Sequence, residues 1–163
     1  MAFKFYQKEP KNFRAVADIK IEVTKMPDTA IAYARPLSNE SPKESVARQL
    51  QAVHDYAKAN EVEIVKEFVE EVTARGDRIR FSEMIGQLQR GEIKADYIYV
   101  ASLDRLGQDT GQLFGLFKKT LKPLHMTVIS ATPNEDFQDY LSAKLAPLLS
   151  GLMKQNAKED RQN

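Results

Sequence analysis

The run Tyr97-Ile98-Tyr99-Val100-Ala101-Ser102 is apolar, aromatic and β-branched, and it stops abruptly at Asp104-Arg105-Leu106-Gly107. Aromatic and β-branched side chains suit a pleated sheet. The glycine marks a turn, and the polar Gln108-Asp109-Thr110 that follows opens a helix. A strand that ends in a charged pair and turns into a helix is how an open α/β sheet presents side chains at its carboxyl edge, where such folds hold their ligands. An arginine placed there calls for an anion. Tyr33-Ala34-Arg35, at the end of an earlier apolar run, adds a second arginine. Together they point to a phosphate-handling site.

The rest of the chain repeats the pattern. Thr29 to Ala34 reads as a buried strand, and Arg35 to Glu40 as a loop. Ser41-Pro42-Lys43-Glu44 combines a capping serine, a proline in the first turn and a glutamate three residues after the cap. The predicted helix behind it carries Val46, Leu50, Val53 and Ala57 on one stripe and ends near Asn60. Ser45 on that helix has, as its plain reading, a place facing solvent. Val62 to Val69 is a second strand, Phe81 to Leu88 a short helix closed by Gly91, and Thr110 to Leu121 a helix ended by Pro123. Met126 to Ser130 is a fourth strand. Gln138 to Gln155 is a last helix in which Pro147 predicts a kink or a break. Alternating strand and helix predicts an α/β fold with a mainly parallel central sheet of about four to five strands flanked by helices.

Residues 1–28 read as an N-terminal extension in which Ile19-Lys20-Ile21-Glu22-Val23 alternates like a short edge strand, residues 29–155 as the domain, and residues 156–163 as a polar tail. At 163 residues the chain supports one well-buried core. Its net charge of +1 gives no global basic field to announce a nucleic-acid partner, so any such partner depends on local arginine clusters. There is no cysteine and there are only two histidines, His54 and His125, far apart, which argues against a thiolate or histidine metal centre. No apolar run approaches the ~20 residues of a membrane span, and the start is unlike a secretory signal, so a cytoplasmic location is expected. The wide apolar face of the last helix, Tyr140 through Leu152, predicts self-association.

Four ordered segments resemble the catalytic domain of serine recombinases, the resolvases and invertases. Tyr33-Ala34-Arg35 resembles the first-strand Tyr-x-Arg that leads into the nucleophile loop. Ser45 with Gln49 resembles the start of the first helix. Arg78-Ile79-Arg80-Phe81-Ser82-Glu83-Met84-Ile85 is similar to the segment opening the second helix, and Leu103-Asp104-Arg105-Leu106-Gly107 matches the family's Leu-Asp-Arg-Leu-Gly. The resemblance runs from about Thr29 to about Ser150.

It implies attack of a serine hydroxyl on a DNA phosphodiester, a phosphoserine intermediate, and departure of the deoxyribose 3′ oxygen, with no metal and no other cofactor. Arginines then neutralise the charge that builds on the phosphate oxygens. Carried over residue by residue, Arg35, Arg78 and Arg105 are phosphate ligands, Gln49 orients groups near the nucleophile, Asp104 holds an arginine or helps move a proton, and Ser38 is the candidate nucleophile. Two positions depart from the family pattern. Leu37 stands where the family has its serine, with Ser38 one residue later in a longer loop, and Gln108 stands where it has a further arginine.

The same residues also have plainer readings. Asp104–Arg105 as a structural ion pair, Ser38 as a loop residue making a local turn bond, and Arg78 as part of a solvated charged loop all stay open. Ser41 reads as a helix cap. No helix-turn-helix or zinc motif follows the last helix, so sequence-specific DNA recognition is expected from a partner protein or from the N-terminal extension. Two functions remain: a DNA strand-exchange enzyme, or a catalytically degenerate domain that regulates or assembles with a complete recombinase.

Overall fold

The computed structural model describes residues 26–36, 40–72, 77–107 and 109–159. Four strands, β1 (Asp28–Ala34), β2 (Val62–Val69), β3 (Tyr97–Val100) and β4 (Thr127–Ser130), form one parallel sheet in the order β2-β1-β3-β4. Helices α1 (Pro42–Ala59), α2 (Ile79–Gln89) and α3 (Thr110–Leu116) connect them, and α4 (Phe137–Glu159) follows β4. The α/β fold with a parallel sheet expected from the alternating pattern is the one found. The strand order reverses between β1 and β3, and this reversal opens a crevice at the carboxyl edge of the sheet.

β1 is buried on both faces, and its side chains divide by the two-residue period of a strand. Ile31 and Tyr33 enter a core with Met84 and Leu88 of α2, Leu113 and Leu116 of α3, and Leu141 of α4. Ala30 and Ala32 face the other way, against Val53 and Ala57 of α1. Small residues let a single helix approach one face closely, while large ones fill the space under three helices on the other. Tyr56, Tyr97 and Tyr99 pack as ring pairs on the α1 side, with centroids 5.7 and 5.8 Å apart. They are structural sheet and helix residues there.

Several local expectations are corrected. Ser41 sits at the N-cap of α1 but its side chain makes no capping bond. The buried stripe of α1 is Ser45, Gln49, Val53 and Ala57, so the helix is rotated from the apolar stripe, leaving Val46 and Leu50 half-buried. Ser45, expected in solvent, is only 2% exposed. The predicted Thr110–Leu121 helix changes register, its last part, Phe117–Leu121, winding as a wider π-turn. Pro147 does not break α4, which runs on to Glu159 through the helix-favouring Lys154, Gln155, Ala157 and Lys158. Among the described residues no helix is long and apolar enough to cross a membrane. The Ile19–Val23 strand, Leu37, Ser38 and Gln108 lie outside the described residues.

Candidate active site

Because β2, β1 and β3 run parallel as neighbours, the residues following each strand share one edge: Arg35 after β1, Glu70 after β2, and the 3-10 turn Leu103–Leu106 after β3. Gly107 closes that turn at φ +101°, a conformation natural to glycine and strained for any other residue. A side chain there would meet Arg78 Nη1 at 2.9 Å, with Arg35 Nη1 at 4.0 Å. Two guanidiniums, one behind β1 and one at the start of α2, therefore converge on the bare backbone of Gly107.

Arg78 is held on several sides. Its guanidinium carbon lies 4.0 Å from the centre of the Phe81 ring and 5.7 Å from that of Tyr33. Nε and Nη2 each sit 3.4 Å from the Tyr33 hydroxyl, and Nη1 sits 3.3 Å from Gln112 Oε1. These bonds are long, so ring stacking fixes the plane while the oxygens fix its direction. Among the described residues its hydrogen-bond acceptors are neutral, a phenol and an amide, which leaves the cationic charge uncancelled by direct contact.

The support beneath Arg78 is Glu70, a carboxylate only 4% exposed. Its Oε1 accepts from the Tyr33 hydroxyl at 3.1 Å and from the Phe81 amide at 2.7 Å, and its Oε2 accepts from the Arg80 amide at 3.2 Å. Glu70 thus caps α2 from the neighbouring strand end, where a negative charge meets the free N–H groups of the first turn. The helix has no side-chain cap from its own N-cap residue, Arg78. Burial, partly offset by Arg78, pushes the Tyr33 phenol up to about 12. Tyr33 therefore stays a neutral donor to Glu70 throughout the physiological range.

Arg35 is positioned through its backbone. The Gln49 side chain donates from Nε2 to the Arg35 carbonyl at 2.7 Å and accepts from the Arg35 amide at 3.1 Å, and Nε2 also reaches Ser45 Oγ at 3.1 Å. The amide acts as a short extra strand against the end of β1. This pairing accounts for the polar, buried start of the α1 stripe. Asp104 and Arg105 lie on the turn itself. Arg105 Nε is 3.4 Å from Asp104 Oδ1, yet this buried N–H has no hydrogen-bond partner among the described residues. Asp104 also accepts from the Ser102 hydroxyl. The structure thus brings Arg35 and Arg78 together at Gly107, ties Gln49 to Arg35, and pairs Asp104 with Arg105 on the adjoining turn. A groove of about 790 Å³ between α2 and α3 is lined in part by Arg78, Phe81, Gln112 and Lys119.

Residues 30–163 match the family described as Resolvase, N terminal domain. The chain belongs to this family. The resolvase-type domain is also similar in fold to several solved structures. A resolvase family site-specific recombinase from Streptococcus pneumoniae aligns with a TM-score of 0.61 at 17% identity, over 83% of this chain and 97% of that one. The N-terminal catalytic domain of TP901-1 integrase gives 0.56 at 18% identity, over 80% and 98%. The C-terminal catalytic domain of ISC1926 TnpA, an IS607-like serine recombinase, gives 0.53 at 17% identity, over 80% and 84%. Comparison with curated proteins gives no match.

Three residues of this resolvase-type site escape sequence reasoning. Glu70 and Glu71 are adjacent acids after a strand, and nothing in the sequence separates the buried one from the exposed one. Gln112 reads as an ordinary polar helix residue. Tyr33 stands in a recognised segment, but its part in carrying Glu70 to Arg78 depends on contacts remote in sequence.

Proposed function

We propose that the domain is a metal-independent DNA strand transferase of the serine recombinase type. Ser38 attacks the scissile phosphorus, a phosphoserine bond forms as the bond to the 3′ oxygen breaks, and the proton lost by the serine is balanced by the one gained at the departing 3′ hydroxyl. Attack by a 3′ hydroxyl on the phosphoserine reverses the step and seals a strand, so bond energy is conserved without a nucleotide cofactor. Arg35, Arg78 and Arg105 bind the phosphate oxygens, Gln49 sets Arg35, and Asp104 holds Arg105. The substrate is cytoplasmic DNA, reached alone or through a partner protein, and the active assembly is an oligomer joined through α4.

The observation that carries this reading is the convergence of Arg35 and Arg78 on Gly107. Two guanidiniums against bare backbone, one of them braced among the described residues by neutral acceptors, suit a phosphate approaching closely enough for bidentate bonds. Arg105 fits the same role, because a buried N–H without an acceptor costs about 1–3 kcal/mol unless a partner satisfies it. The departures support a second reading, a degenerate domain acting as a regulatory or assembly partner. Leu37 and Gln108 stand at positions where the family carries a serine and an arginine, and the exposed leucines of α4 offer an assembly surface.

Trapping on a nicked suicide DNA substrate separates the two. The enzyme reading expects a covalent protein–DNA adduct that disappears in Ser38→Ala. It fails if no adduct forms on any DNA, with or without candidate partner recombinases.

A further inference from the structure

Outside the arginine cluster, the backbone on both sides of Ser102 is fastened to the connection between β4 and α4. Glu135 Oε2 accepts from the Leu103 amide at 2.9 Å and from the Ser130 hydroxyl at 2.6 Å. The Thr132 hydroxyl donates to the Ala101 carbonyl at 2.7 Å, and the Ser130 hydroxyl, which accepts from the Thr132 amide at 3.1 Å, lies 3.4 Å from that same carbonyl. Leu103 opens the 3-10 turn and is 1% exposed, so without Glu135 its amide would be left in an apolar setting with no acceptor. The next residue, Asp136, has a different task. Its carboxylate accepts from the Asp139 amide at 2.9 Å and its carbonyl from the Tyr140 amide at 2.9 Å, which starts α4. Adjacent carboxylates thus hold the arginine-bearing turn and the first turn of the last helix, one peptide apart.

We propose that Glu135 is a positioning residue: through its latch on Leu103 the start of α4 sets the Leu103–Gly107 turn, and with it Arg105 and the Gly107 surface against which Arg35 and Arg78 lie. The proposal rests on the strand-transfer reading for its effect on rate, but its structural half stands without it. Both bonds to Glu135 end on one oxygen. An uncharged amide carbonyl can accept both, though more weakly, which separates hydrogen bonding from charge. Glu135 is exposed and lies outside the arginine cluster, so its effect passes through the turn.

The test pairs amide hydrogen exchange on the full chain with single-turnover adduct formation on the suicide DNA substrate, for Glu135→Ala and Glu135→Gln. In Glu135→Ala, exchange at Leu103 should speed up and the change should spread to Gly107. Adduct formation should slow about tenfold, the effect of losing a single positioning hydrogen bond, with DNA affinity unchanged. Glu135→Gln should stay close to the parent in both measurements. Faster exchange confined to Leu103 with an unchanged adduct rate would overturn the proposal, as would Glu135→Gln behaving like Glu135→Ala. If the parent forms no adduct, the strand-transfer reading fails and the exchange arm alone decides the latch: spread to Gly107 supports it, and confinement to Leu103 refutes it.

Discussion

The carboxyl edge of the sheet and the distal half of α4 are built in opposite ways. At the sheet edge several site residues are held from other elements: Arg35 by Gln49 of α1, Arg78 by Tyr33 of β1 and Gln112 of α3 as well as Phe81, and the start of α2 by Glu70. In α4, Phe137 and Leu141 are in the core, but Leu148, Leu149, Leu152 and Met153 are 55%, 58%, 58% and 74% exposed. The first region is braced largely by its own chain, with the Arg105 Nε–H left over. The second presents apolar side chains that the other described residues leave uncovered, the kind of surface that an interaction face carries. In the proposed function these regions serve chemistry and assembly respectively, so variants in one should leave the other intact.

The largest expected effect belongs to Arg78. Arg78→Ala should slow DNA cleavage by about 10²–10³-fold, as loss of a principal charge-stabilising donor does. Arg78→Lys should not restore the rate, because an ammonium cannot both stack on Phe81 and fork between Tyr33 and Gln112. Thermal unfolding of both variants, run beside single-turnover cleavage, separates lost chemistry from lost fold. Gly107→Ala comes next. It forces a side chain into φ +101° and within 2.9 Å of Arg78 Nη1, so it should cost about 1–3 kcal/mol of stability in denaturant titration and displace Arg78 as well. A fully active, fully stable Gly107→Ala would erase the distinction drawn for the sheet edge.

Glu70→Gln should destabilise by about 1–3 kcal/mol, since an amide cannot replace a buried carboxylate that accepts from three donors without leaving polar groups mismatched. On the other side of the comparison, Leu149→Ser with Leu152→Ser should lower self-association, read by light scattering, while unfolding stays within about 0.5 kcal/mol of the parent, as for exposed positions. Association that survives these changes would move the interface elsewhere.

The smallest effect is alkaline. The Tyr33 phenol keeps its proton in the fold up to about pH 12, against an ordinary value of 10.0. Below that ordinary value both states carry the proton and stability does not depend on it. Between the two values the unfolded chain ionises first, so stability falls as pH rises. Tyr33→Phe should flatten this alkaline decline.

How much was legible in the sequence follows the range of the interactions. The strand runs announced themselves because local alternation and β-branching set them, and the Asp-Arg-Leu-Gly turn because glycine and chain direction did. Arg35, Gln49, Arg78 and Arg105 were readable as candidates, but the meeting of Arg35 and Arg78 at Gly107 depends on strand order, which no local pattern carries. Ser45 was misread because its burial follows from a polar contact with Gln49, not from apolar periodicity. Glu70 and Glu135 were missed for the same reason: each serves backbone amides far along the chain, and an acid in a polar segment looks alike whether it caps a distant turn or meets water. α4 ran past Pro147 because an exposed helix face can lose one backbone hydrogen bond to water.

The central claim is that the arginine cluster serves Ser38. Its most direct test is peptide mapping by mass spectrometry of the protein–DNA adduct trapped on a suicide substrate. The account predicts a DNA-linked peptide with the phosphate on Ser38. Attachment to Ser41 or Ser45, or the same adduct from Ser38→Ala, would contradict it.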